Sequence, residues 1–393
     1  MRLLLRGSLS AAAGRLGRAF STAASRPPWA MIHSIGELVR SPALRASFQL
    51  AEPPCASHLR VPEHLVDPRP RPDPNGDIMP HIWCRVRAAS GDGLLLDFMD
   101  ARATAPIVGK HGADWACEFA GIDGNPDMTR FICNPLSGQL FRLPDIDGMK
   151  KTVCYRRLGI LTQSERPNGP PAREWDKAVG LPSPLPPARR MDIDHEVVAF
   201  AGRLWWVDVS WGTISLDPFS DRPELRFVEL PRGRVVEPVK GKWLPDLCRY
   251  RRMGVSEGRM RYAELSQKKP FVLSSFALED DGSCWTLEHR VELNRLGVWP
   301  DGCRPGQEKD TPCIGVIDPL NANIMILTVG NHAISVDMDR GKVIGCSLIQ
   351  GAAGPISPSS GFLTPCALLP WLGSSLIPSA GDRPSHVFFE FHV

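Results

Sequence analysis

The sequence lacks the short motifs that identify most enzyme and cofactor sites. It contains no Gly-x-x-x-x-Gly-Lys phosphate loop, no Gly-x-Gly-x-x-Gly following a strand and no Gly-x-Ser-x-Gly nucleophile turn. No histidine pair has metal-binding helical spacing, and none of the 11 cysteines forms a Cys-x-x-Cys pair. These absences predict a protein that is not an enzyme and that binds neither a cofactor nor a metal.

Long apolar runs and basic stripes are also missing. A helix that crosses a bilayer needs about 20 apolar residues. The longest apolar stretch, Ile314–Val329, is interrupted by Asp318, Pro319 and two asparagines. The net charge is only +3, and part of it lies in the first 26 residues. The sequence therefore predicts no membrane span and no nucleic-acid partner.

Acidic residues are absent before Glu37, although this segment carries five arginines by position 26 and is rich in Ser and Ala. On a helix, Leu5, Leu9, Leu16 and other apolar side chains fall on one stripe. This composition is typical of a transit peptide and predicts a mitochondrial presequence over residues 1–30. The segment ending Arg18-Ala-Phe20-Ser21 resembles a processing-peptidase site, with cleavage between Phe20 and Ser21. Import into chloroplasts remains an alternative, as does a cytosolic or nuclear location if translation starts at Met31.

Proline-rich segments divide the rest of the chain. They predict a linker or poorly ordered arm at 31–80, with a short helix within Ser34–Phe48, and a long surface loop at 163–190. A Gly/Pro/Ser-rich tail is expected at 351–393, with one last strand near its end. The segments between these breakers, 81–162 and 191–350, are predicted to hold the β units.

Short strands separated by turn residues fill those two segments. The predicted strands group into units at spacings of about 40–50 residues, with three strands in the first unit and four in each of the others. They are Trp115–Ala120, Met128–Cys133 and Gln139–Leu143; Val197–Phe200, Arg203–Val209, Thr213–Leu216 and Leu225–Leu230; Arg251–Val255, Arg259–Leu265, Phe271–Leu278 and Ser283–Val291; Cys313–Ile317, Ile324–Val329, Ala333–Asp337 and Lys342–Ile349. We therefore predict an all-β, β-propeller-like domain. The alternative is a pair of β-sandwich-like modules split at the 163–190 loop.

Two stretches resemble known families. The segment Cys133-Asn134-Pro135-Leu136-Ser137-Gly138, continuing to Leu143-Pro144, resembles a turn of plant F-box-associated propellers, although no convincing F-box lies upstream. The C-terminal half is similar to the plant domain-of-unknown-function family 1618, which is large in grasses and has no established activity. The residues that carry this similarity are 254–264, 271–290, 314–321, 331–333 and 341–347. The resemblances imply a fold and a lineage, but no catalytic residues.

A tryptophan cluster offers the best candidate interface. Trp205, Trp206 and Trp211 lie within seven residues, and strand alternation places Trp205 and Trp206 on opposite faces. Core packing explains such a cluster, but one exposed ring would anchor a partner. The sequence thus favours a non-enzymatic module that binds a protein or peptide. An F-box-type substrate adaptor is a second hypothesis.

A third hypothesis is an enzyme that uses a non-local Cys or His. Its best constellation comprises Asp280, Asp281, Cys284, Glu288 and His289. Alternation places Cys284 and His289 on opposite faces of one strand, which argues against a local nucleophile–base pair. A more distant base would be His195 or His332. The nearby segment 337–341 resembles a calcium loop, but Leu348 stands where the last acidic ligand is required, so a turn is predicted.

Overall fold

In the computed structural model, β-strands are the predominant secondary structure of the described residues. It describes residues 26–66, 79–90, 93–103, 105–111, 114–120, 127–143, 158–162, 184–186, 189, 191–193, 197–220, 222–237, 247–280, 282, 284–301, 303, 310–349, 363–373 and 386–390. No helix within these ranges is long and apolar enough to cross a membrane.

Three consecutive four-stranded antiparallel sheets occupy the C-terminal half. In each, the strands pair in the order in which they occur in the chain. Sheet III comprises β12 (Val198–Phe200), β13 (Arg203–Asp208), β14 (Gly212–Leu216) and β15 (Arg226–Glu229). Sheet IV comprises β16 (Arg251–Ser256), β17 (Arg259–Leu265), β18 (Val272–Leu278) and β19 (Trp285–Glu292). Sheet V comprises β20 (Cys313–Ile317), β21 (Ile324–Val329), β22 (His332–Asp337) and β23 (Lys342–Leu348). Each strand lies within about two residues of its predicted position.

A nine-stranded sheet contains two further four-stranded groups, joined through β2 (Ile35–Val39). Sheet II comprises β5 (Met79–Ser90), β6 (Gly93–Ala103), β9 (Asp127–Cys133) and β10 (Leu140–Arg142). Sheet I comprises β24 (Leu363–Ala367), β1 (Trp29–His33), β4 (Ala56–Pro62) and β3 (Ser47–Gln49). The β1–β4 pairing is parallel, whereas β1 and β24 pair antiparallel.

The inner strands of the five sheets lie against one another in a cycle. β5 contacts β12, β12 contacts β16, β16 contacts β20, β20 contacts β24, and β24 contacts β5. Four-stranded sheets in such a cycle are the architecture of a β-propeller. The predicted fold is therefore confirmed. The alternative of two separate modules does not hold, because β12 and β24 both contact β5 across the proposed division.

Smaller elements complete the described chain. Two two-stranded sheets are formed by β7 (Ala105–His111) with β8 (Asp114–Ala120), and by β11 (Leu158–Thr162) with β25 (His386–Glu390). Single-turn helices span Glu63–Val66 and Leu247–Tyr250, and 3-10 turns span Leu293–Arg295 and Pro370–Gly373.

Apolar side chains fill the spaces between neighbouring sheets. Ala263 and Leu273 of sheet IV pack with Leu327 and Ile334 of sheet V. Similar clusters join sheets III and IV, sheets V and I, and sheets I and II. Because β-strands alternate their side chains between two faces, an inner sheet can bury apolar residues on both.

The Pro-rich arm predicted for residues 31–80 is wrong for its first half. Residues 29–62 form β1–β4, and the short helix expected within 34–48 is replaced by β2 and β3. All five residues of β1 are buried. The prolines lie mainly between these strands. The proline content therefore did not indicate that the residues between them pair in a sheet and pack in the core.

The predicted C-terminal tail also contributes to the fold. β24 pairs with β1, from Trp29 opposite Ala367 to His33 opposite Leu363. A last strand was expected near the end of the chain, and β25 occupies His386–Glu390. Phe20, Ser21 and most of the 163–190 loop lie outside the described residues. Trp29 and Ala30, assigned to the presequence from the sequence, belong to β1.

Candidate interaction surface

The tryptophan cluster lies inside the protein. Trp206 is fully buried, and Trp205 and Trp211 are 6% and 5% exposed. The Trp205 indole donates to the carbonyl of Phe200 at 3.1 Å. The guanidinium of Arg189 lies 4.4 Å from the Trp211 ring centroid. The interface prediction for these tryptophans is wrong, because none offers a ring to a partner and the core alternative accounts for all three.

Of the Asp280–His289 constellation, Asp280 and Cys284 lie between β18 and β19, Glu288 and His289 lie on β19, and Asp281 lies outside the described residues. Cys284 is exposed, and His289 is partly buried. Ser275 and Phe276 pair with His289 and Leu287, so Glu288 is the extra residue of a β-bulge. Strict alternation did not predict this bulge. The Glu288 carboxylate pairs with Arg259 at 3.0 Å and also with the buried Arg261. In the structure, the Glu288 side chain therefore forms ion pairs with two arginines of sheet IV.

The predicted turn at 337–341 connects β22 and β23. The Asp337 carboxylate accepts from the backbone N–H of Arg340 at 2.9 Å, which closes the turn. Among the described residues, no group of three or more His, Cys, Asp or Glu side chains is arranged to hold a metal ion.

Residues in the two segments that resemble known families form hydrogen bonds between neighbouring sheets. Asp318 accepts from the backbone N–H groups of Leu320 and Asn321 at 2.8 and 3.0 Å, and from the Trp29 side chain. Burial raises the pKa of Asp318 above its usual value, and these hydrogen bonds partly offset the increase. The neighbouring Pro319 carbonyl accepts from Glu257 of the β16–β17 turn at 3.0 Å. This motif therefore links sheets I, IV and V.

The Cys133–Gly138 turn has a comparable structural role. The Asn134 side-chain oxygen accepts from the N–H groups of Leu136 and Ser137 at 2.9 and 3.0 Å. Its side-chain amide donates to the Leu372 carbonyl at 2.9 Å. Asparagine is suited to both tasks because its side chain contains an acceptor and two donors. The turn thus fastens sheet II to the C-terminal segment.

An exposed apolar stripe occupies β23, the outermost strand of sheet V. The stripe comprises Ile344, Cys346 and Leu348, at every second position. Ile344 is 49% exposed and Leu348 is 52% exposed. Burial raises the pKa of the Cys346 thiol, which therefore stays protonated at neutral pH. The β23 stripe thus presents an uncharged apolar surface to solvent.

The intervening residues of β23 are small and lie closer to the body of the protein. A Cβ atom at Gly345 would lie 3.2 Å from Cδ of Pro54. The Ser347 hydroxyl donates to the Pro54 carbonyl at 2.7 Å. These contacts hold one side of β23 against the β3–β4 connection of sheet I. The larger side chains are consequently the ones left in solvent.

The outer strands of the other sheets expose mainly polar groups. Their exposed positions are Ser47 and Gln49 on β3, Arg142 on β10, Arg226 and Glu229 on β15, and Thr286, Leu287, Glu288 and Arg290 on β19. Polar and charged side chains are the usual protection of a sheet edge. Only β23 among these five outer strands exposes an uninterrupted set of apolar side chains at alternate positions.

The sequence did not reveal this surface, although it predicted the strand. Alternation in Lys342–Leu348 separates Ile344, Cys346 and Leu348 from Val343, Gly345 and Ser347. The usual rule assigns the larger apolar set to the core. Here Gly345 and Ser347 face Pro54, which leaves little space for a larger side chain on that face. The alternation is visible in the sequence, but which of the two faces of β23 lies in solvent depends on the contacts with sheet I.

Comparisons with known proteins identify one family. No curated protein matches the chain. The family described as "Protein of unknown function (DUF1618)" matches residues 206–326, from within β13 to within β21. The resemblance to F-box-associated propellers receives no support from these comparisons. The match covers about a third of the chain, which is similar to the DUF1618 family over these residues.

Proposed function

We propose that the protein is a non-enzymatic interaction module that binds a protein or peptide partner through the β23 stripe. The observation that carries this proposal is the exposure of Ile344 and Leu348 on an outer strand whose counterparts expose mainly polar groups. Apolar side chains exposed together are typical of surfaces that a partner covers. The absence of catalytic motifs from the sequence supports the non-enzymatic part of the proposal.

Covering the stripe provides a modest gain in free energy. Full burial of a Leu or Ile side chain contributes about 1.5–3 kcal/mol. Since Ile344 and Leu348 are half-exposed, each has about half of that gain still available. Gains of this size fit a reversible contact in which a few apolar anchors supply most of the affinity.

The first prediction concerns the double substitution Ile344→Thr and Leu348→Thr. Threonine keeps the β-branched shape that strands favour, but it removes most of the apolar surface. We expect a proximity-labelling enzyme fused to this variant to lose a defined subset of the proteins labelled by the wild type. The effect should be a severalfold loss of labelling for that subset, at equal expression.

Leu287→Thr is the matched control, because Leu287 is 47% exposed and also lies on an outer strand. This variant should label the same proteins as the wild type. Identical labelled sets for all three proteins would show that the β23 stripe contacts no partner.

Mitochondrial import is part of the proposal. Its support is the arginine-rich, acid-free segment that precedes the described fold. The matching experiment compares the full chain with a version that starts at Arg26, which retains every residue of β1. Matrix labelling by the full chain alone supports import. The same cytosolic or nuclear set for both versions, especially with ubiquitin-ligase scaffolds, supports the adaptor alternative.

A further inference from the structure

We propose that the partner supplies an extended segment that pairs with β23 as a fifth, antiparallel strand of sheet V, with apolar side chains at every second position. This inference rests on the proposed function and specifies the chemistry of the partner. When a partner strand pairs with β23, the affinity depends on backbone hydrogen bonds as well as on side-chain contacts.

The exposed edge of β23 provides the backbone groups. Among the strands that the structure describes, β23 pairs with β22 only. Each unpaired edge offers N–H and C=O groups to an incoming strand. The pairing with β22 is regular from Gly345 to Leu348, and the extra residue of a β-bulge is Ile344. Regular strand addition is therefore expected along the second half of β23, with Ile344 contributing a side-chain contact.

The alternating exposure of β23 defines the side-chain pattern of the partner. Cys346 and Leu348 are two residues apart on the regular part of the strand. Directly opposed residues of paired strands project to the same face, and their Cβ atoms lie about 4.5–5.5 Å apart. A segment that covers both side chains must carry apolar groups at positions i and i+2. A helical segment would present its apolar groups at spacings of three and four instead.

The size of the surface favours a short segment over a second copy of this chain. A stable protein–protein interface buries about 800 Å² on each partner. One seven-residue strand with three exposed apolar side chains offers much less. It suits a peptide segment of roughly that length, whose main-chain hydrogen bonds supplement a small apolar contact.

Charge at one end of β23 orients the segment. Lys342 begins the strand and is exposed, and the Arg340 side chain beside it is 69% exposed. The charged neighbours on this turn are Asp339, which is exposed, and Asp337, which lies 3.8 Å from Arg340. An antiparallel segment places its C-terminal end beside Lys342. An acidic residue or a free carboxylate at that end would therefore meet a surface with more basic than acidic exposed side chains.

The test is a selection of random seven-residue peptides with free C-termini against the full protein, with the Ile344→Thr/Leu348→Thr variant as counter-selection. The expected result is enrichment of sequences with apolar residues at alternate positions and Asp or Glu among the last two. Enriched sequences with apolar spacings of three and four would overturn strand addition and leave the proposed function intact. No stripe-dependent enrichment would overturn both.

N-methylation of an enriched peptide separates backbone pairing from side-chain contact. Methyl groups on alternate backbone nitrogens in one phase should weaken binding at least tenfold, because those N–H groups face β23. Methyl groups in the other phase should change binding less than threefold. Equal effects of both phases would overturn strand addition. Light scattering completes the test: a dimer that the double variant abolishes would identify a second copy as the occupant and overturn the peptide proposal.

Discussion

A single glycine at the end of the Cys133–Gly138 turn allows two distant segments to meet. Gly138 has a φ of +66°, in the left-handed region that favours glycine. Its carbonyl accepts from the N–H of Ala46 at 2.9 Å. A Cβ atom at this position would lie only 1.8 Å from the Ala46 carbonyl oxygen. The conformation and the contact therefore both require the absence of a side chain.

We expect Gly138→Ala to destabilise the protein by more than the conformational cost alone. A left-handed conformation costs a non-glycine residue about 1–2 kcal/mol. The clash with the Ala46 carbonyl adds to this, because two backbone segments must separate. Gly202→Ala is the control, since Gly202 has a φ of +68° and open space around its Cβ position. Urea denaturation should show a clearly larger loss for Gly138→Ala; equal losses would mean that the Ala46 contact is unimportant.

For single residues, the sequence predicted which residues form turns better than it predicted which side chains are exposed to solvent. The motif Cys133–Gly138 was expected to form a turn from Asn-Pro and Gly chemistry, and it does. Whether Trp205 or Leu348 faces solvent was not predictable, because alternation separates two faces without stating which one a neighbouring sheet covers. That information comes from contacts between residues far apart in sequence.

Strands between clear turn residues were predictable, and strands between prolines were not. The positions of β12–β23 follow from apolar runs bounded by glycine, asparagine and aspartate. β1 and β24 lie in segments whose composition is typical of linkers, yet each pairs with the other. Their strand conformation depends on that pairing, which no local pattern reports.

The pairing of β1 with β4 brings two histidines together. The His33 and His58 rings are stacked with centroids 5.7 Å apart. Burial lowers the pKa of His33, and the charge of His58 lowers it further, while the Ile35 carbonyl raises it. Burial also lowers the pKa of His58; Glu37 acts in the opposite direction, and Arg60 lowers it. Both rings are therefore more readily neutral in the folded protein than in the unfolded chain.

A loss of stability on acidification follows from these shifts. The unfolded chain takes up protons near its ordinary histidine pKa of 6.5, whereas the folded state resists protonation to a lower pH. The stabilisation is fully present above pH 6.5 and is lost as the pH falls through the folded-state pKa. His33→Asn, which retains a side-chain acceptor for the Ile35 N–H, should flatten the pH dependence of the unfolding free energy between pH 7.5 and 5. The exposed His64→Asn variant should behave like the wild type, and an unchanged slope for His33→Asn would refute the assignment.

At the scale of the molecule, the pairing of β1 with β24 joins the two ends of the described fold within sheet I. Arg26 donates to the carbonyl of Leu368, 342 positions further along the chain. Trp29 packs with Val316 and Ile324 of sheet V and with Leu363 of β24. Residues before position 31 therefore belong to the folded protein.

This closure predicts different stabilities for two possible N-termini. A chain that starts at Ser21 keeps all of β1, whereas a chain that starts at Met31 lacks Trp29 and Ala30, which are 5% and 0% exposed. Loss of a buried tryptophan side chain costs about 3–5 kcal/mol. We expect the Met31 version to unfold at clearly lower urea concentration than the Ser21 version. Equal midpoints would show that β1 contributes little to the closure.

The same strand pairing orders events during biosynthesis. A ribosome makes the chain from the N-terminus onwards, so β1 leaves the exit tunnel long before its partner β24 has been translated. Sheets II to V can form on the nascent chain, but β1 must wait with an unpaired edge until residues 363–367 emerge. Contacts so distant in sequence also form slowly in a completed chain. The closing of sheet I therefore waits for the synthesis of residues 363–367, and the interval before it is when the unfinished protein is most exposed to chaperones.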